Sequence, residues 1–207
     1  MGRYRDRHYR GLDSSRMKIV AFYTPSYTHV VKKLTDSLDR FKYEYETVEV
    51  NDRGSWEENC GQKPEVLYDA MTKYKEDILY LDADATVVRE LPLEEIVGDK
   101  LAVHIMQWPD EKTGKVTKEL ISNCIYLPYN EEVLDIVKRW KQHQLENPMI
   151  WDQRTLSHVL NNSNIEINVL SPNWCYIEKY YGIFIQLDPI VVQGQVSREM
   201  RNDSNYQ

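Results

Sequence analysis

Four consecutive apolar residues, Ile78-Leu79-Tyr80-Leu81, run directly into Asp82-Ala83-Asp84. Successive side chains along a strand point to opposite faces, so a run apolar at every position predicts a strand covered on both sides. Strands of that kind belong to sheets with helices packed on each face. The same alternation puts residues two apart on one side. A strand that continues through Leu81 therefore presents the carboxylates of Asp82 and Asp84 to one cavity at its carboxyl end. Two hard oxygen donors at that spacing suit Mg²⁺ or Mn²⁺, above all when a ligand diphosphate completes the coordination. The competing reading of an isolated Asp-x-Asp is a pair that caps the following turn.

The rest of the chain places that strand in an alternating pattern. Met17–Tyr23 reads as a first strand, rich in β-branched and aromatic residues. Thr24-Pro25-Ser26 breaks it, and Tyr27–Phe41 carries Val30, Val31, Leu34, Leu38 and Phe41 at helical spacing. Tyr43–Val50 reads as a second strand, Asn51–Gln62 as a polar loop holding Trp56, and Pro64 can open a helix through Tyr74. After the Asp77–Leu81 strand come a short acidic turn or helix (Leu91–Val97) and two strands, Lys100–Met106 and Ile121–Leu127. A charged loop, Trp108–Lys118, separates these two. Glu131–Glu146 is an amphipathic helix and Asp152–Leu160 a shorter one, followed by strands over Ile165–Leu170 and Asp188–Val192. Strands alternating with helices predict a single Rossmann-type α/β domain over residues 17–198, with a mostly parallel central sheet flanked by helices. Ligands of such sheets bind beyond the carboxyl ends of the strands, where strand order reverses. Residues 1–16 read as a flexible basic arm, with five arginines against two aspartates, and residues 199–207 as a polar tail.

Several function classes lose ground on composition. The 207 residues suffice for one substantial domain. No apolar stretch approaches the roughly 20 residues that cross a bilayer, so no transmembrane segment is expected. No secretory signal is visible, and a cytoplasmic location is the expectation. Cys60, Cys124 and Cys175 are odd in number and lack metal-ligand spacing. The net charge of −7 opposes broad, phosphate-driven nucleic-acid binding. There is no Gly-x-Gly-x-x-Gly and no Gly-rich loop ending in Lys-Ser/Thr, which removes the usual signatures of dinucleotide redox enzymes and P-loop ATPases. His104 and His158 read as structural.

Tyr23-Thr24-Pro25 after the first strand, Lys63-Pro64 at a helix start, Leu79-Tyr80-Leu81-Asp82-Ala83-Asp84, Trp151-Asp152-Gln153 and the late Pro189–Arg198 segment together resemble the nucleotide-diphospho-sugar transferases. These are glycosyltransferases of the GT-A fold. The resemblance implies a hexosyltransferase-like enzyme using a nucleoside diphosphate sugar, with a UDP-sugar the expected donor. A saccharide or glycoconjugate is a more natural acceptor than DNA. It further implies that Tyr23, Thr24 and Pro25 line the nucleotide pocket, with Tyr23 or Tyr27 packing on the base. Lys63 would contact the diphosphate or order the pocket. Asp82 would reach the ribose or the metal, and Asp84 would ligate the metal directly. Asn123, in Ser122-Asn123-Cys124-Ile125, would face the donor sugar and acceptor. Asp152 would bond sugar hydroxyls or act near the reacting carbon, with a helix N-cap as its structural alternative; Gln153 would lie on the same donor face. Ser197 and Arg198 would help neutralise the diphosphate. Many relatives carry a histidine ligand in the carboxyl-terminal strand, where this chain has Gln193, an amide oxygen donor with less preference for Mn²⁺ over Mg²⁺.

Three rivals stay open at this level. A sugar-phosphate nucleotidyltransferase shares the sheet and the carboxylate chemistry, but Thr24-Pro25-Ser26-Tyr27 is not its Gly-rich basic loop. A non-catalytic nucleotide-sugar-binding protein is kept alive by Gln193. The same transfer onto a modified base in DNA, of the phage type, is permitted by the basic arm and opposed by the acidic total.

Overall fold

The computed structural model describes residues 17–109, 113–181 and 187–196. In chain order the elements are β1 (Met17–Tyr23), α1 (Thr28–Arg40), β2 (Tyr45–Glu49), α2 (Trp56–Cys60), α3 (Lys63–Tyr74), β3 (Asp77–Leu81) and β4 (Ala85–Val87). They continue with β5 (Ala102–Pro109), β6 (Val116–Leu127), α4 (Glu131–Glu146), α5 (Asp152–Asn161), β7 (Asn168–Leu170), α6 (Glu178–Tyr181) and β8 (Val191–Gln193). Six strands form the central sheet in the order β2-β1-β3-β6-β5-β7. β1 pairs in parallel with β2 and β3, and β5 with β7, whereas β6 is antiparallel to both β3 and β5. β6 therefore runs against the other five strands, and the sheet is mostly parallel as expected. The chain steps outward from β1 to β2 and returns past β1 to β3. Strand order thus reverses at the β1–β3 boundary, with Thr24 and Asp82 just beyond the two carboxyl ends.

The apolar run of β3 feeds two cores. Ile78 and Tyr80 pack with Val66 and Leu67 of α3, Val137 and Trp140 of α4, and Leu156 of α5. Leu79 and Leu81 face the other way, against Leu34 and Leu38 of α1, Trp174 and Ile190. All four β3 residues are essentially inaccessible to water. Burying each large side chain is worth about 1.5–3 kcal/mol. Among the described residues no helix is long and apolar enough to cross a membrane.

Several boundaries differ from the sequence-based expectation. The expected polar loop contains α2, whose first turn is closed by its N-cap: Ser55 Oγ accepts from the Glu58 N–H at 3.2 Å and donates to Glu58 Oε2 at 2.8 Å. The expected loop over Trp108–Lys118 is largely hairpin, since β5 extends through Pro109 and β6 begins at Val116. The strand expected over Ile165–Leu170 is confined to β7. Near the carboxyl end, Val191–Gln193 pairs antiparallel with β4 to form a two-stranded ribbon that the sequence reading did not foresee. The arm over residues 1–16 and the tail over 199–207 lie outside the described residues, as do Ser197 and Arg198.

Candidate functional site

The pairing of β3 with β6 aligns Leu81 with Cys124, and the ladder continues one residue further through the Asp82 N–H to the Asn123 carbonyl at 2.9 Å. That bond fixes the backbone of Asp82 at the mouth of the strand. Its Oδ1 accepts from the Tyr80 hydroxyl at 2.6 Å and lies 3.1 Å from Lys63 Nζ. Tyr80 and Asp82 are two apart on one strand, so their meeting follows from the pleat. The tyrosine hydroxyl is held in its protonated form, pushed well above the ordinary phenol range by burial and then by the Asp82 charge.

Lys63, the first residue of α3, is only 4% exposed. Its ammonium lies 2.8 Å from Asp152 Oδ2 and donates to the Ser122 carbonyl and Oγ at 3.0 and 3.2 Å. Burial alone would lower its pKa, but Asp152 and then Asp82 outweigh that and hold it above the ordinary lysine value. Asp152 is likewise 4% exposed. It is the first residue of α5, and Trp151 occupies the N-cap position. The cap alternative therefore does not describe Asp152, whose Oδ2 also accepts from Ser122 Oγ at 2.8 Å. Its backbone carbonyl is held by Trp140 Nε1 at 3.1 Å. The next residue, Gln153, donates Nε2 to Glu119 at 2.7 Å and faces the Ser122 N–H through Oε1 at 3.4 Å. Lys63, Asp82, Ser122 and Asp152 thus form one buried ionic cluster, with Gln153 along its edge.

Asp84 belongs to a second, adjoining group. The β4–β8 ribbon pairs Ala85 with Gln193 and delivers the end of β8 to Asp84. The Gly194 N–H donates to the Asp84 carbonyl at 3.0 Å, and the Val196 N–H donates to Asp84 Oδ2 at 3.1 Å. A Cβ on Gly194 would stand 2.8 Å from the Asp84 carbonyl oxygen, so the close approach requires glycine. Loss of water around Asp84, followed by the Asp82 charge, pushes its carboxyl up to about 6 against the pull of the Val196 N–H. Gln193 is 5% exposed, and among the described residues neither its Oε1 nor its Nε2 has a hydrogen-bond partner. Asn123 is also buried, with its Oδ1 unpartnered among the described residues. Among the described residues no group of three His, Cys, Asp or Glu side chains is poised around a metal position. Asp82, Asp84 and the amide oxygens of Gln193 and Asn123 are hard oxygen donors, the kind that Mg²⁺ or Mn²⁺ takes.

Tyr23, Thr24 and Pro25 lie at the carboxyl end of neighbouring β1. Thr24 is buried with its Oγ1 3.1 Å from Ser26 Oγ, and Pro25 opens a 3-10 turn over Pro25–Tyr27. The Tyr23 phenol is raised by partial burial and by Glu49. His104 is buried with Nδ1 donating to the Leu170 carbonyl at 2.8 Å, and His158 stacks on His143; both belong to the scaffold. The sequence reading missed Tyr80, Gly194 and Glu119. The period-2 rule could have found Tyr80; Gly194 and Glu119 carry no local signal.

No family model matches this chain, and no curated protein matches it. Among solved structures it is similar to the crystal structure of a glycosyltransferase involved in the glycosylation of the major capsid of PBCV-1. The TM-score is 0.66 at 16% identity, over 92% of this chain and 99% of that one. The chain shares its fold with that glycosyltransferase over nearly its whole length.

Proposed function

We propose that this chain is a metal-dependent, hexosyltransferase-like glycosyltransferase. It would move a sugar from a nucleoside diphosphate sugar of the UDP class to a hydroxyl of a saccharide or glycoconjugate. The observation that supports the reading is that Asp82 and Asp84 follow directly on β3 while the β4–β8 pairing brings the backbone of Gln193–Val196 against Asp84. The fold shared with a known glycosyltransferase supports it.

Asp84, Asp82 and Gln193 would hold Mn²⁺ or Mg²⁺, which when bound neutralises charge building on the departing diphosphate as the anomeric carbon–oxygen bond breaks. The chain's own residues divide the remaining work. Both internal bonds to Asp82 fall on Oδ1, which leaves Oδ2 for ribose or metal. Both bonds to Asp152 fall on Oδ2, which leaves Oδ1 for a sugar hydroxyl near the reacting carbon. Lys63 is consumed by these two carboxylates, so its role is to order the pocket by fixed charge, without direct contact to the diphosphate. Asn123 offers its free Oδ1 to a sugar hydroxyl, and Gln153 keeps α5 registered on β6 through Glu119. Thr24 and its neighbours would frame the nucleoside at the β1 end, where the switch point lies. Ser197 and Arg198 retain the diphosphate role that the resemblance implies.

The test is thermal unfolding with UDP, GDP, ADP and UDP-hexoses, with and without Mn²⁺, on the native chain and Asp84→Ala. A ligand at about a hundred times its Kd adds about 2.7 kcal/mol by mass action. For a chain of this size that is a rise of about 5–10 °C. A Mn²⁺-dependent rise that disappears in Asp84→Ala is expected. No rise with any nucleotide refutes the donor site, and an equal rise in Asp84→Ala refutes the metal assignment.

A further inference from the structure

The two segments that meet at the Lys63–Asp152 ion pair meet again at the surface. Trp56 opens α2, just ahead of Lys63, and Trp151 immediately precedes Asp152. Their rings are edge to face, with centroids 5.2 Å apart and planes at 79°. The Arg154 guanidinium lies over the Trp151 ring at 5.0 Å. Leading into Trp151, Met149 and Ile150 are 63% and 40% exposed. This apolar turn is held firmly from beneath. The buried Gln144 donates Nε2 to the Ile150 carbonyl at 2.7 Å and accepts from Thr155 Oγ1. Gly61 gives α2 room beside it, because a Cβ there would stand 2.8 Å from Gln144 Nε2. Beside the pair, α2, the start of α3 and the end of α4 wall a groove lined by Arg53, Glu58, Pro64, Lys141, Leu145 and Pro148, with Glu65 between the two cations and neither indole in the lining.

We propose that Trp56 and Trp151, with this groove, form the subsite for the acceptor, and that the acceptor is an uncharged saccharide. The inference rests on the glycosyltransferase reading above and adds to it where the acceptor docks and of what kind it is. Three observations favour a sugar. Trp151 is the chain neighbour of Asp152 and Trp56 lies one short helix ahead of Lys63, so a ring docked on the pair sits beside the two segments that carry the ionic cluster. Indole rings offer large apolar contact at little conformational cost, and a pyranose presents a C–H face to such a ring and hydroxyls at its rim. The groove sets Arg53 and Lys141 against Glu58 and Glu65, a balance that suits a neutral polar ligand. A nucleic acid would meet two carboxylates there, and an apolar peptide would strip water from four charges.

The experiment uses the full chain loaded with UDP and Mn²⁺, titrated calorimetrically with methyl glycosides and disaccharides of glucose, galactose, mannose and xylose. Native protein, Trp56→Tyr and Trp56→Leu are compared; Leu keeps the apolar bulk without a ring. At least one saccharide is expected to bind the native chain. Trp56→Leu is expected to weaken it about tenfold and Trp56→Tyr to stay within about threefold, the scale of one aromatic contact. Binding of UDP and Mn²⁺ is measured first on each variant and is expected to persist. Failure of that step in the native chain refutes the donor reading. Intact UDP binding with no saccharide bound, or with equal saccharide affinity in Trp56→Leu, overturns the acceptor subsite.

Discussion

Replacing Lys63 by methionine keeps most of the buried volume and removes the one charge that joins Asp82 to Asp152. Breaking a buried ion pair by deleting one partner costs about 3–5 kcal/mol, because the remaining charge is left desolvated. Most of that cost falls on Asp152, whose side chain is 6% exposed; Asp82, at 33%, is partly rescued by solvent. At about 2–4 °C per kcal/mol for a chain of this length, the melting temperature should fall by about 6–20 °C. Urea unfolding followed by tryptophan fluorescence at neutral pH measures the loss. Pairing Lys63→Met with Asp152→Asn should recover part of the loss, a coupling that a double-mutant cycle isolates. A loss below about 1 kcal/mol, the size for an exposed pair, with no recovery in the double variant, would refute the argument.

Gly194→Ala should cost about 1–3 kcal/mol and weaken Mn²⁺-dependent UDP binding, because its Cβ drives the Asp84 backbone away from β8; unfolding and calorimetry on one variant give both numbers. Tyr80→Phe removes the hydroxyl bonded to Asp82 and keeps the ring, so about 1.5–3 kcal/mol of stability should go with the fold intact, as read by urea midpoints. His104 has its pKa lowered by burial despite the Leu170 carbonyl. Its contribution should be complete above the unfolded value of about 6.5 and decline as pH falls toward the folded one. The fall in urea midpoint below that pH should flatten in His104→Asn.

Much of the scaffold was legible because β3 and its flanking helices obey strong periodicities. Met17–Tyr23, Asp77–Leu81 and Glu131–Glu146 have the boundaries the pattern predicts. Strand direction was not legible, since an apolar alternation reads the same both ways and β6 differs from its neighbours only in how it is connected. α2 escaped because five residues hold no periodicity, although Ser55 and Glu58 stand at capping-box spacing. β4 escaped because three residues become a strand only through a partner near the other end of the chain. In the site, Asp82 and Asp84 announce themselves by their spacing after an apolar strand, although β3 stops at Leu81 and the pair sits in the turn to β4 that the Ala85 N–H closes on the Asp82 carbonyl. The Lys63–Asp152 contact joins segments that carry no mutual signal, and resemblance alone pointed to both residues.

The β4–β8 ribbon also orders events in time. The central sheet and the core around Ile78 and Tyr80 draw on residues that leave the ribosome before Val191–Val196, and long-range pairings such as this one form slowly. A nascent chain lacking that last segment can already hold β3 and its carboxylates, yet Asp84 has no Val196 N–H and no Gln193 beside it. On the proposed reading, the donor site is therefore completed only once Val191–Val196 has emerged, as a late closure upon a sheet already in place.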